Sequence, residues 1–228
     1  MAQEKTIKII ENGPYLVSAD ILLKKVKIAP LQPVHIKDYD TAPYVHDGFY
    51  ALCRCGHSHN APFCDGTHAQ IHFDGTETAD KTPYMKRVGV AEGEHMLVLD
   101  DNRCAYARFC HRQHGSVWEL VDKDDELYKQ EIIEGACACP AGRLTAADKE
   151  HGLYENEYEP QILVVEDPVQ GVSAGLFVKG NITIIGADGM AYEVRNREAL
   201  CRCGNSYNKP FCDANHVSSG YRAHESAG

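Results

Sequence analysis

One sixteen-residue pattern occurs twice in this 228-residue chain, and it limits what the chain can become. Cys53-Arg-Cys-Gly-His-Ser-His-Asn-Ala-Pro-Phe-Cys-Asp-Gly-Thr-His68 returns as Cys201-Arg-Cys-Gly-Asn-Ser-Tyr-Asn-Lys-Pro-Phe-Cys-Asp-Ala-Asn-His216, identical at 11 of 16 positions. Both copies keep the spacing Cys-x-Cys-x8-Cys-x3-His, while His57, His59 and Gly66 are replaced in the second, so what recurs is a ligand set. Residues 1–10 lack the apolar core and small-residue cleavage site of a secretory signal, and a cytoplasmic chain is expected. In a reducing compartment ten cysteines, some spaced Cys-x-Cys, are more readily metal ligands than disulfides.

The spacing divides each set into two pairs. Cys53 with Cys55, and Cys201 with Cys203, lie on extended chain, where residues two apart point the same way. Cys64 with His68, and Cys212 with His216, are four apart, so one helical turn places each pair on one face. A carboxylate at Asp65 or Asp213 suits the start of that turn. Two irons bridged by sulfide need such a division, although three thiolates and one imidazole also make a zinc set.

Both segments resemble the CDGSH iron-sulfur domain of mitoNEET-like proteins, with Cys64-Asp-Gly-Thr-His68 close to the family signature and Ala214-Asn215 departing from its Gly-Ser. The resemblance implies a 2Fe-2S cluster on Cys53, Cys55, Cys64 and His68, and another on Cys201, Cys203, Cys212 and His216. It also implies that two motifs in one chain replace the dimer of single motifs, giving a monomer with an intrachain pseudo-dimer. Upstream, Tyr15-Leu-Val-Ser-Ala-Asp-Ile21 can be laid beside Leu176-Phe-Val-Lys-Gly-Asn-Ile182.

Between the copies, Cys104-Ala-Tyr-Ala-Arg-Phe-Cys110 and a distant Cys139-Pro140 resemble half of a bacterial-type ferredoxin, in which Ala107 stands where the central cysteine belongs. That resemblance implies a 3Fe-4S cluster on Cys104, Cys110 and Cys139, or a 4Fe-4S cluster with Cys137 or His111 as an extra ligand. Buried thiols of a degenerate domain are the bland alternative. The arrangement of two CDGSH motifs flanking a divergent single-cluster segment is similar to a bacterial multi-domain form of the family.

With 6 Phe and 1 Trp the chain has few bulky residues for one broad core, which favours small modules braced by metal. We expect an α+β, β-rich fold of three modules: residues 1–76 and 161–228 holding the CDGSH motifs, and residues 77–160 a ferredoxin-like module ending in a polar linker over 145–160. Strands are expected at Gln161–Glu166, Leu176–Lys179, Ile182–Ile185, Ala191–Arg195 and Met96–Asp100, with a turn at Ala187–Gly189. A helix is expected over Leu127–Ala138, begun by Asp124 or Asp125, and Trp118 is expected in the middle core. His57, His59, His72 and His114 read as surface histidines, and Arg54 and Arg202 as partners of carboxylates or cluster charge.

A net charge of −10 argues against nucleic-acid binding, and no apolar run is long enough to span a membrane. No nucleophile and base pair, phosphate loop or dinucleotide fingerprint is present, so no catalytic residues are assigned and the chain is not expected to be an enzyme. The expected function is one-electron relay between a reductase and an acceptor with basic surfaces. Cluster transfer to apo-iron-sulfur proteins, redox or pH sensing, and a zinc-stabilised interaction scaffold are the alternatives.

Overall fold

The computed structural model describes residues 4–18, 21–29, 35–38, 43–46 and 48–224. The first half supplies β1 (Thr6–Ile9), β2 (Tyr15–Val17), β3 (Leu22–Ala29), β4 (His35–Asp38), β5 (Tyr50–Leu52) and the one-turn helix α1 (Thr67–Gln70). The middle segment supplies α2 (Tyr84–Arg87), β6 (Gly89–Glu92), β7 (Leu97–Asp100), α3 (Val117–Lys123), α4 (Lys129–Cys137), β8 (Leu144–Asp148) and β9 (Gly152–Leu153). The second half supplies β10 (Gln161–Asp167), β11 (Val172–Lys179), β12 (Thr183–Ile185), β13 (Arg197–Leu200) and α5 (Asn215–Ser218). The fold is α+β and rich in strands.

The halves trade strands. The first sheet runs β12-β1-β2-β5 and the second β13-β11-β10-β3-β4, so neither is built from one half alone. β12 pairs parallel to β1, with Ile184 beside Ile7, and β3 pairs parallel to β10, with Leu23 beside Ile162. The registers match: Tyr15 faces Leu52 on β5, and Leu176 faces Leu200 on β13. The stretches Tyr15–Ile21 and Leu176–Ile182, alike in sequence, therefore hold equivalent places.

Alternation along these strands turns one set of apolar side chains inward. Ile7, Ile9, Tyr15, Val17 and Leu52 meet Ile162, Val164, Leu176, Val178 and Leu200 in one buried cluster. Each such side chain contributes roughly 1.5–3 kcal/mol by leaving water. The other face of the second sheet, carrying Val26, Ile28, Leu163, Val165 and Phe177, is covered by Ala105, Ala107 and Phe109 of the middle segment. Coverage on both faces explains why Val172–Val178 is buried without interruption. The middle segment has its own core, in which Val98, Leu144 and Ala146 pack on Val117, Leu120, Val121, Ile132 and Ala136.

Three local expectations are corrected. Residues 145–160 do not form a linker from their start, because Leu144–Asp148 is a fully buried strand paired with β7. Its polar residues are satisfied inside: Tyr84 donates to the Thr145 hydroxyl (3.1 Å), and Asp148 accepts from Tyr154 (2.6 Å) and pairs with Lys129 (3.1 Å). Ala191–Arg195 is not a strand, since Tyr192 reaches Glu77 (2.6 Å) and Arg195 lies 3.5 Å from the Tyr84 ring centroid; pairing resumes only at Arg197. The expected helix over Leu127–Ala138 is shorter, a 3-10 turn at Glu126–Tyr128 preceding α4. The helix α3 is capped by Ser116 and Glu119 acting reciprocally, a Ser-x-x-Glu signature that was present in the sequence. Trp118 on α3 packs against the middle core half-buried, its indole donating to Asp100 (3.0 Å).

Glu198 on β13 is 3% exposed, and neither carboxylate oxygen has a hydrogen-bond partner among the described residues. Burial pushes its carboxyl up to about 8, opposed by Arg103, Arg195 and Arg87. An unfolded carboxyl ionises near about 4.3. The proton held in the folded state makes this residue's contribution fully present below that value and lost as pH rises through about 8. Glu198→Gln, which cannot ionise, is expected to gain stability over the parent progressively between pH 5 and 8. Equal midpoints at both pH values in denaturant unfolding contradict this.

Candidate metal centres

Each ligand loop is laid out by its strand. Leu52 bridges Phe63 and Leu200 bridges Phe211, extending β5 and β13 into the motifs. Cys53 N–H donates to Pro62 O (2.8 Å) and Cys64 N–H to Ala51 O (2.9 Å); Cys201 to Pro210 O and Cys212 to Ala199 O repeat this, both at 2.8 Å. Ser58 and Ser206, both buried, donate to the carbonyls of Phe63 and Phe211 (2.6 and 2.7 Å). The shared Ser, Asn, Pro and Phe positions are thus the struts that hold the third cysteine against the first two.

The donors come together in pairs. The sulfurs of Cys53 and Cys55 are 3.7 Å apart and those of Cys201 and Cys203 3.6 Å; Cys64 Sγ lies 3.3 Å from His68 Nδ1 and Cys212 Sγ 3.4 Å from His216 Nδ1. No three Cys, His, Asp or Glu side chains surround one point among the described residues. This two-plus-two division fits a binuclear cluster, and a tetrahedral mononuclear site needs all four donors round one centre. The neighbouring thiols of Cys55 and Cys203 and nearby backbone N–H groups lower the Cys53 and Cys201 thiols below the ordinary range, against burial.

Asp65 accepts from Thr67 N–H (3.0 Å) and His59 N–H (2.8 Å), and Asp213 from Asn215 N–H (3.1 Å) and Tyr207 N–H (2.8 Å). Each carboxylate therefore ties the start of the histidine helix to the loop, one residue ahead of the cap itself. The caps are Gly66 at φ 88° and Ala214 at φ 71°, in the left-handed region. A methyl at Gly66 would meet open space, so the cost there is purely conformational. Ala214→Gly is expected to stabilise and Gly66→Ala to destabilise, each by about 1 kcal/mol. Thermal unfolding of both variants checks this, and a loss on Ala214→Gly contradicts it.

Arg54 and Arg202, between the paired cysteines, are 2% exposed. Arg54 donates to the carbonyls of Gly13 (2.7 Å), Gly75 (2.7 Å) and Ile10 (3.1 Å). Arg202 donates to Ala174 O and Val165 O (both 2.6 Å) and pairs with Glu166. They chiefly staple strand ends beneath the ligands, and only Arg202 has the carboxylate partner among these contacts.

The two motifs abut back to back. A methyl on Gly56 would overlap the carbonyl oxygen of Cys203 and stand 2.7 Å from its carbon, and one on Gly204 would overlap that of Cys55, 2.9 Å from its carbon. Tyr15 crosses between the halves, its hydroxyl donating to Cys201 O (2.7 Å) and Pro210 O (3.0 Å). Their surroundings differ: Cys64 and His68 are half-buried, whereas Cys212 is 3% and His216 2% exposed. Burial pushes the His216 imidazole down to about 4, and Arg202 adds to it.

In the middle segment Cys104 and Cys139 are the charged neighbours of Cys110, whose thiol is pushed up to about 11, first by burial. The three are electrostatic neighbours, although among the described residues they do not surround one point. Ala107, at the position of the missing ligand, is buried in the apolar cluster. Cys137 is not with them: two residues before Cys139 at the end of α4, its charged neighbours are Arg197 and Glu155. His111 is exposed and bridges Ser116. His57, His59, His72 and His114 are exposed as expected.

Tyr15, Arg197 and the Arg108–Asp167 pair were missed by sequence reasoning. Arg197, 1% exposed, donates to Ala136 O and Cys139 O (both 2.7 Å) and to Leu144 O (3.2 Å) and pairs with Glu155 (2.8 Å). Nothing in its local pattern signalled this, because its partners lie at least 42 residues away.

Paired thiolate and imidazole donors, twice over, are the ligand pattern of an iron-sulfur protein. The family model for the iron-binding zinc finger of CDGSH type matches residues 12–69 and 174–217, and that for a divergent 4Fe-4S mono-cluster matches 91–149. Two regions of CDGSH type therefore flank a divergent 4Fe-4S mono-cluster region in this chain. No curated protein and no solved structure matched it.

Proposed function

We propose that this chain relays single electrons between redox proteins and is not itself an enzyme. The observation that carries this is the abutment of the two paired-donor sets through Gly56 and Gly204, with the loop between Cys104 and Cys110 packed against Cys212 of the second. In this reading each motif holds a 2Fe-2S cluster on three Cys and one His. Cys104, Cys110 and Cys139 hold a third cluster, of 3Fe-4S type if Ala107 leaves one iron without a ligand, or of 4Fe-4S type as in the mono-cluster model that matches this region. Clusters bound there supply one-electron storage at iron.

The chain's own residues do the rest. Phe63, Phe211 and the buried prolines Pro62 and Pro210 keep water from the ligands, and Arg54 and Arg202 place fixed positive charge beneath them. No described helix is long and apolar enough to cross a membrane. We take the working place to be the cytoplasm, and the partners to be a reductase and an acceptor with basic surfaces that match the net charge of −10.

His68 and His216 present Nδ1 to their cysteines, which leaves Nε2 to carry a proton. Electron uptake raises that proton's affinity, so the potential is expected to rise as pH falls, by up to about 59 mV per unit. Burial, with Arg202 adding to it, disfavours a proton on the His216 ring. His68→Cys is expected to flatten the slope of one signal and His216→Cys to change little. An unchanged slope in the double variant contradicts the mechanism.

The half-buried Cys64 and His68 favour a second reading, release of the first cluster to apo-proteins. Potentiometric titration with an apo-acceptor present separates the two. Reversible reduction with constant bound iron supports relay, and iron passing to the acceptor without net electron flow supports transfer.

A further inference from the structure

The two CDGSH ligand sets are equal in donors and unequal in neighbours. Ala105, Ala107 and Phe109, at alternate positions of the loop from Cys104 to Cys110, pack in one buried cluster with Cys212, Ala174 and Ala199 of the second half. The same loop is fastened there by Arg108, which grips Asp167 at the end of β10 through two bonds of 2.8 and 3.1 Å. Cys64, the first motif's counterpart of Cys212, lies outside that cluster and is half-buried. The first motif reaches the rest of the array through the reciprocal contact of Gly56 with Cys203 and Gly204 with Cys55.

We propose that the three ligand sets form a line with the C-terminal set (Cys201, Cys203, Cys212, His216) at its buried centre. The middle set and the N-terminal set are then the two ends, and Cys64 with His68 is the end that a one-electron redox protein meets. The inference rests on the reading that Cys104, Cys110 and Cys139 hold a cluster. Each step moves one electron, oxidising one iron from ferrous to ferric at the donor set and reducing another from ferric to ferrous at the next. The external electron comes from a one-electron reductase protein and leaves to a one-electron acceptor protein, and no other bond forms or breaks.

Through-space magnetic coupling falls steeply with distance, so electron paramagnetic resonance of the full loaded chain reads the order. His68→Cys and His216→Cys each shift one 2Fe-2S signal and so assign the two. In the triple variant Cys104→Ala, Cys110→Ala, Cys139→Ala, the signal assigned through His216 is expected to relax several-fold more slowly than in the parent, and that assigned through His68 to stay unchanged. Stepwise reduction of the parent repeats the test without a variant: only the His216-assigned signal should broaden as the middle set changes spin state. Iron lost from the triple variant with the His68-assigned signal responding instead, or both responding alike, overturns the order alone. No loss of iron overturns the middle-cluster reading and the order with it.

Discussion

Gly56→Ala is expected to disable both CDGSH regions at once, although it alters no ligand. Its backbone is at φ 81°, and the added methyl would overlap the backbone carbonyl of Cys203 across the junction of the halves. A carbonyl in a packed loop cannot rotate aside as a surface side chain does, so the loops must separate. The left-handed conformation adds about 1–2 kcal/mol. Together these imply a loss of more than about 3 kcal/mol. Gly204→Ala, at φ 79° against the Cys55 carbonyl, should do the same by the same route. Iron content and unfolding midpoint check both variants. A Gly56→Ala protein that keeps both 2Fe-2S spectra and the parent midpoint contradicts the back-to-back arrangement.

Arg197→Met is expected to act selectively. It removes a buried cation whose donors hold the carbonyls of Ala136, Cys139 and Leu144, and it leaves Glu155 without that partner. Glu155 is exposed and falls back to solvent, so the cost is that of the lost buried hydrogen bonds from a charged donor, about 1.5–3 kcal/mol. The damage falls where α4 delivers Cys139, so iron assigned to the middle set should fall while the 2Fe-2S absorption persists. Loss from all three sets in proportion would mean that Arg197 only supports the fold.

The donor sets were legible because ligand chemistry is local. The spacing gave the pairs but not their backbone: Cys64 and Cys212 precede the left-handed caps and lie outside the one-turn helices, and Cys55 and Cys203 lie in bends past β5 and β13. The likeness of Tyr15–Ile21 to Leu176–Ile182 also carried to matching register. The exchange of β3 and β12 between halves was not legible, since either strand could satisfy its alternation against its own half or the other. The buried strand Leu144–Asp148 read as polar because a sequence does not reveal that Tyr84, Tyr154 and Lys129 meet Thr145 and Asp148 inside. Cys137 and Cys139 are adjacent by sequence, but the end of a helix sends them to different surroundings.

The central claim, two binuclear sets and one further cluster, is tested most directly by iron, sulfide and zinc analysis of anaerobically purified protein beside the Cys104→Ala, Cys110→Ala, Cys139→Ala variant. The account predicts about seven or eight irons in the parent and about four in the variant, with matching sulfide and visible colour in both. One zinc per motif in a colourless protein would contradict it.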